Sequence, residues 1–109
     1  MSIKLETLDA NASLSSLENT IRQSEALGFE MITLARGIVD NIPSNTLTLR
    51  RRSPGDGPAP LTLIRVNRGL SLLEQETDVA LGETNAKKLI SYSAVFVSGA
   101  ETNVAVYRE

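Results

Sequence analysis

The sequence contains no cysteine and no histidine, and aromatic residues make up only 4% of it. Without cysteine there is no disulfide, no thiolate nucleophile and no cysteine-based metal site. Without histidine the chain lacks the commonest general base and the commonest transition-metal ligand. We therefore expect no catalytic residues, no bound metal, no cofactor and no enzymatic activity.

Long apolar runs are also missing. No run approaches the roughly 18 residues that a membrane span needs, and none follows Met1 as in a secretory signal. The 109 residues are 41% hydrophobic with a net charge of -2, which excludes a chain that is disordered throughout. We expect a single α+β domain over residues 1–109, located in the cytoplasm and not associated with a membrane.

Positive charge is concentrated in the middle of the chain. Residues 46–68 carry a net charge of +4, whereas residues 1–45 and 69–109 each carry -3. The overall acidic balance argues against bulk binding to nucleic acid. A local basic patch remains open, and its five members are all arginines, which suit bidentate contacts with carboxylate or phosphate. They are Arg50, Arg51, Arg52, Arg65 and Arg68.

The first third of the chain predicts a strand followed by a helix. Apolar and charged residues alternate over residues 3–7, the period of a half-buried strand. Leu14, Leu17 and Ile21 recur at helical spacing, and Gly28 stands where a left-handed C-cap is expected. The candidate N-caps are Asn11, Ser13 and, in a capping box with Glu18, Ser15.

The remaining pattern predicts a strand at 29–39, a turn at 40–45 and two hairpins. The first hairpin joins residues 46–53 to 61–68 through a loop rich in proline and glycine. The second joins residues 92–98 to 103–108 through a four-residue loop.

Residues 69–83 give no clear pattern, and Thr84 is a candidate cap for a short helix through Ile90. The result is an α+β protein with a mostly antiparallel sheet of about six strands, one good helix and one short helix, in two layers. The two halves could be a diverged β-α-β-β duplication, although they share no obvious residue pattern.

The last hairpin is apolar on both faces. A four-residue loop places Val97 opposite Val104 and Val95 opposite Val106, and such a ribbon must be covered twice. One good helix and one short helix are little material for this, so we expect a homo-oligomer. The predicted interface residues are Tyr92, Val95, Phe96, Val97, Val104, Val106 and Tyr107.

The first hairpin places Leu49 opposite Ile64, with the arginines on the other face. Three interpretations stay open: a solvated face, which is favoured, an anion-binding patch, and charge pairing with a later acidic stretch. That stretch contains Glu74, Glu76, Asp78 and Glu83.

Three functions are compatible with these patterns. The first is a small assembly or protein-binding module, self-associating through an apolar sheet face, with another protein as a further candidate partner. The second is a module that binds nucleic acid or another anionic ligand through the five arginines. The third and least favoured is an enzyme that uses Glu74, Glu76 and Asp78 in a cleft between subunits.

Overall fold

The computed structural model describes residues 2–53, 60–83 and 87–109. They form six strands and two helices. In chain order these are β1 (Ile3–Asp9), α1 (Leu14–Ala26), β2 (Phe29–Val39), β3 (Ile42–Arg51), β4 (Leu61–Val66), α2 (Leu72–Gly82), β5 (Lys88–Val97) and β6 (Ala100–Arg108).

The strands form two antiparallel sheets of three strands each. Sheet A has the order β1-β3-β2, and sheet B has the order β4-β6-β5. This arrangement confirms the predicted α+β class with six strands and two helices, although the strands are divided between two sheets.

The two halves of the chain repeat one another with an offset of 58 residues. Each half runs strand, helix, strand, strand, and its third strand lies at the centre of its sheet. The helix N-caps Ser13 and Ser71 are 58 residues apart, and each side chain accepts a backbone N–H from the residue three positions on. The β-α-β-β duplication is therefore present in the fold.

Irregularities of the backbone repeat at the same offset. The β2–β3 register shifts at Ile32, and the β5–β6 register shifts at Ile90. Both hairpins turn on two residues with positive φ, as a type I′ turn requires. These turn residues are Asp40 and Asn41 in the first half, and Ser98 and Gly99 in the second.

The main core, called the central core here, lies between the two sheets and α1. Leu17 and Ile21 of α1 are at most 1% exposed and pack with inward-facing residues of both sheets. Helix α1 itself packs against β2 and β4, so it joins the two halves. The buried strand residues of the central core are Leu8, Met31, Leu34, Leu47, Leu49, Leu61, Leu63, Val95, Val97, Val104 and Val106.

A smaller core lies between α2 and the other face of sheet B. Tyr107, Ala105 and Val66 are at most 1% exposed there, and the partly buried Val79 packs against them. The Tyr107 hydroxyl donates to the Val79 carbonyl at 2.7 Å. Gly82 brings the end of α2 close to this ring, because any β-carbon there would lie 2.1 Å from Tyr107 Cζ.

The predicted first hairpin is wrong. Strand β3 pairs with β1 and β2, and β4 pairs with β6, so Leu49 lies opposite Lys4 and Met31 rather than Ile64. Two strands that follow one another in sequence need not pair, and here β4 begins the second repeat. The predicted tip, residues 54–59, lies outside the described residues.

The second hairpin exists, but its predicted register is wrong. Val97 lies opposite Ala100 and Val95 opposite Thr102. The turn needs only two residues because Ser98 adopts a positive φ of 52°. Serine rarely does so, which is why the sequence favoured a four-residue loop.

Helix α2 corrects the interpretation of residues 69–90. The segment 72–82 that gave no clear pattern is helical, with Ser71 and Glu74 forming a capping box. Lys88–Ile90 begin strand β5 instead of ending a helix, and residues 84–86 lie outside the described part of the chain.

The predicted turn at 40–45 is shorter than expected. Pro43 is part of β3, opposite Ile38 of β2. The ladder between β1 and β3 ends at Ser44, one residue before the proline is reached. Because β3 has a neighbour on one side only at this point, the missing N–H of Pro43 removes no ladder hydrogen bond.

We predict that Gly82→Ala lowers the free energy of unfolding by about 1–3 kcal/mol, because the buried Tyr107 ring leaves no room for the methyl group. Urea denaturation measures this. The control is Glu76→Ala on the exposed surface of the same helix, which should leave stability nearly unchanged. A Gly82→Ala variant as stable as the parent would contradict the packing of α2 on Tyr107.

Candidate interaction surfaces

Each three-stranded sheet has two edges, and the edges of β2 and β5 face one another. The Ser93 hydroxyl donates to the Leu34 carbonyl of β2. The side-chain amide of the fully buried Asn45 reaches across from β3, donating to the Phe96 carbonyl and accepting the Phe96 N–H, both at 2.8 Å. Side chains of each sheet therefore form hydrogen bonds with backbone groups at the edge of the other sheet.

The edge of β4 is closed by helix α1. The Arg22 guanidinium donates to the Leu61 carbonyl at 2.9 Å, and the Glu18 carboxylate accepts the Leu63 N–H at 3.1 Å. Glu18 and Arg22 also approach one another at 3.6 Å. A helix thus covers this edge with side chains that match its outward donor and acceptor.

The edge of β1 remains open. The Ser2 carbonyl accepts the Arg51 N–H, so alternation points the backbone groups of Ile3, Leu5 and Thr7 away from β3. Within residues 2–53, 60–83 and 87–109 no group hydrogen-bonds these outward groups. The Leu5 side chain is 65% exposed beside them. An exposed apolar edge strand is a template for pairing with another chain.

The first three predicted arginines support the local structure of sheet A. Arg52 donates to the carbonyls of Phe29 and Glu25, and so binds the end of α1 to the start of β2. The Arg51 guanidinium lies 5.1 Å from the centre of the Phe29 ring. Arg50 lies between Ile3 and Glu30 in the sheet.

Arg65 and Arg68 lie elsewhere, in sheet B and the segment that follows β4. They line an open cleft of about 700 Å³ together with Asn67, Ala100, Glu101 and Thr102. Glu101 is paired with Arg36 of sheet A at 2.5 Å. Because β3 and β4 belong to different sheets, the structure does not gather the five arginines on one hairpin face.

Most of the predicted interface residues face the interior of the chain. Five of them are at most 3% exposed: Val95, Val97, Val104, Val106 and Tyr107. Both faces of the β5–β6 ribbon are covered by the same chain, one by the central core and the other by α2. The apolar ribbon therefore gives no reason to expect a second copy. Phe96 is half-buried, and Tyr92 is 37% exposed.

Helix α2 makes polar contacts with sheet B in addition to its packing on Tyr107. The Tyr92 hydroxyl donates to Gln75 at 2.6 Å, and no residue of α2 is itself fully buried. Burial raises the pKa of both Tyr92 and Tyr107. The Asp78 carboxylate adds to the effect at both tyrosines, and the Glu83 carboxylate adds to it at Tyr107. Both hydroxyls therefore remain protonated donors to α2 near neutral pH.

The solvent side of α2 carries exposed leucines. Leu72, Leu73 and Leu81 are 82%, 72% and 63% exposed. Leu73, Ala80 and Leu81 lie along one shallow groove with Glu76 and Thr77. The carboxylates of Glu74, Glu76 and Asp78 do not share one face as they would on a strand, because this segment is helical.

Sequence reasoning missed the polar residues that join the two halves. Glu25 is 3% exposed, lies 2.5 Å from Arg108 and accepts the Met31 N–H at 2.9 Å. The spacing of Glu18, Arg22 and Glu25 along one helix was visible, but their partners on β4 and β6 are remote in sequence. The open edge of β1 was similarly hidden, because its alternating pattern does not reveal which strand pairs with it.

Neither helix in the described part of the chain is long and apolar enough to cross a membrane. In the same three ranges, acidic side chains form no cluster of three or more that would hold a metal ion. Comparison with models of known families, with curated proteins and with solved structures finds no match.

The capping box of α2 predicts a pH dependence. The Ser71 backbone N–H donates to the Glu74 carboxylate, and this bond, with a further contribution from the Ser71 side chain, lowers the pKa of Glu74 from its ordinary 4.5. A lowered folded-state pKa stabilises the protein above pH 4.5, and this contribution is lost as the pH falls through the folded pKa. We expect the destabilisation caused by Glu74→Gln to be present at pH 7 and to disappear on acidification, as measured by urea denaturation at several pH values.

The first repeat supplies the control for this effect. Ser13→Ala removes the N-cap of α1, which has Ser16 instead of an acid at the third helical position, and should cost about 1 kcal/mol at every pH. Parallel pH profiles for the Ser13→Ala and Glu74→Gln variants would contradict the role of the Glu74 charge.

Proposed function

We propose that the protein is a non-enzymatic assembly module that self-associates through the open edge of β1. The observation that carries the proposal is the contrast between the four sheet edges. The β2 and β5 edges engage one another, and α1 closes the β4 edge with Glu18 and Arg22. The β1 edge keeps its outward backbone groups and the exposed side chain of Leu5.

Strand addition explains how such an edge would work. Backbone hydrogen bonds supply affinity when an extended segment lies beside an edge strand, and alternate side chains supply specificity. Charged residues, bulges or a covering helix commonly protect edges in proteins that do not associate this way. On β1 the two charged residues beside Leu5, Lys4 and Glu6, are already paired with one another at 3.1 Å, and Leu5 itself carries no charge. The proposal includes a cytoplasmic location, in keeping with a chain that forms no disulfide.

We expect Leu5→Lys to weaken self-association about tenfold or more and to leave the fold intact. Leu5 lies outside both cores, so its replacement does not disturb packing within the chain. At an interface, however, loss of a buried leucine costs about 1.5–3 kcal/mol, which weakens association about tenfold or more. Sedimentation at micromolar concentration gives the mass of the native chain and of the variant.

The matched control is Leu73→Lys on α2, where the exposed fraction is similar. It should associate like the native chain. A native chain that sediments as a strict monomer would overturn the proposed function. Dissociation by Leu73→Lys together with retention by Leu5→Lys would also overturn it, and would assign association to α2.

A second candidate function is binding of an anionic ligand in the cleft beside Arg65 and Arg68. The specific observation in its favour is that these two arginines line one cleft together with the polar residues Asn67 and Thr102. The paired Glu101 carboxylate in the same cleft would restrict the site to ligands that leave it undisturbed.

We predict that Arg65→Ser with Arg68→Ser weakens binding of a short polyphosphate about tenfold at low salt. Loss of two phosphate contacts should also lower the slope of log affinity against log salt by about two. Fluorescence titration at several salt concentrations measures both quantities. The control pair, Arg50→Ser with Arg51→Ser, should bind as the native chain does. Equal effects of the two pairs would contradict a site in the cleft.

A further inference from the structure

We propose that two copies of the chain pair through β1 in one antiparallel register centred on Leu5, forming a closed two-fold dimer. This inference rests on the proposed function, since it names the partner and the geometry of the same edge. The open backbone, the order of charges along β1 and the second repeat each contribute to it.

The backbone defines which residues can meet a partner strand. Ile3, Leu5 and Thr7 direct their N–H and C=O groups away from β3. In an antiparallel pair, outward residues lie opposite outward residues and exchange two hydrogen bonds. Centring the two-fold axis on Leu5 therefore pairs Leu5 with Leu5 of the second copy, and Ile3 with Thr7 of the second copy.

The same register makes the charges of β1 self-complementary. Lys4 then lies opposite Glu6 of the second copy, and Glu6 opposite its Lys4. These are non-hydrogen-bonded positions, where facing side chains come closest. The Lys4 and Glu6 side chains are 44% and 23% exposed, and they already lie 3.1 Å apart within one chain. Pairing would join four alternating charges in one cluster.

The neighbouring registers are disfavoured by the same two residues. The outward pattern allows the strand to slide only in steps that keep odd-numbered residues opposite odd-numbered residues. One such step places Lys4 opposite Lys4 of the second copy, and the step in the other direction places Glu6 opposite Glu6. Like charges directly opposite one another destabilise a sheet, so the register centred on Leu5 is favoured over both of its neighbours.

In the second repeat the strand that corresponds to β1 is β4, and helix α1 covers its edge. Leu61 and Leu63, whose outward groups are bound by α1, stand 58 residues after Ile3 and Leu5. The residues of α2 at the positions of Glu18 and Arg22 are Glu76 and Ala80, and α2 packs on β4 and β5. Nothing within the described residues binds the outward groups of β1, so a second copy of the chain can take the place that α1 takes on β4.

The proposed assembly is limited to two copies because each copy contributes a single edge, that of β1. A two-fold pairing of β1 joins the two A sheets into six continuous strands whose outer strands are the β2 strands. Each β2 edge is already engaged with β5 of its own chain. The assembly therefore stops at two copies, whereas a head-to-tail contact would form rings or filaments.

Cysteine cross-linking tests the register directly, because the native chain has no cysteine. In Leu5→Cys the two Cα atoms would be about 5.5 Å apart, within the range of a disulfide. We expect nearly complete cross-linking to a dimer under mild oxidation. Ile3→Cys is the control, because its two copies would be about 14 Å apart and should stay uncross-linked. An equal mixture of Ile3→Cys and Thr7→Cys should cross-link.

Charge reversal tests the register without a cross-link. Lys4→Glu and Glu6→Lys each place like charges opposite one another, and should weaken dimerisation about tenfold. The double variant restores both pairs and should return to within about threefold of the native dissociation constant. Circular dichroism confirms that each variant is folded.

The outcomes separate this inference from the proposed function. Suppose that Leu5→Lys dissociates the dimer, but Leu5→Cys does not cross-link or the double charge reversal does not restore dimerisation. This result overturns the register and leaves association through β1 standing. A mass larger than two copies overturns closure in the same way. A strict monomer, or a dimer unaffected by Leu5→Lys, overturns both.

Discussion

The fold depends on polar side chains of helix α1 that bind the second half of the chain to the first. Glu25 accepts the Met31 N–H of its own half and pairs with Arg108 of the other, in a site that is almost fully buried. Removing one partner of such a pair leaves an uncompensated buried charge, which costs about 3–5 kcal/mol. Glu18 and Arg22 extend the same connection to β4. Because α1 contacts strands of both sheets, its side chains also cover the edge of β4.

Local patterns predicted the first repeat more closely than the second. The alternation of β1, the helical spacing of Leu14, Leu17 and Ile21, and the positive φ of Gly28 all follow from short-range chemistry. Helix α2 was missed because its leucines point largely to solvent. Its capping box of Ser71 and Glu74 was a readable signal in the sequence.

Local sequence patterns do not show which strands pair with one another. The sequence order of β3 and β4 favours a hairpin, yet the ladder of β4 is with β6, some forty residues later. The register of the last hairpin depended on one serine with a positive φ. Of the candidate sites, Arg65 and Arg68 do share a cleft, whereas Arg52 is used to bind main-chain carbonyls. The open edge beside Leu5 could be recognised only after the contacts at the other three sheet edges were known.

The repeat also has a consequence for symmetry. Two identical subunits related by a two-fold axis must present identical sheet edges. A residue that covers the edge in one subunit therefore covers the same edge in the other. A tandem chain is free of that restriction: arginine stands at position 22 and alanine at its counterpart, position 80. One molecule can thus have the edge of β4 covered by its own helix and the edge of β1 uncovered, and under the proposed pairing each molecule then has a single partner.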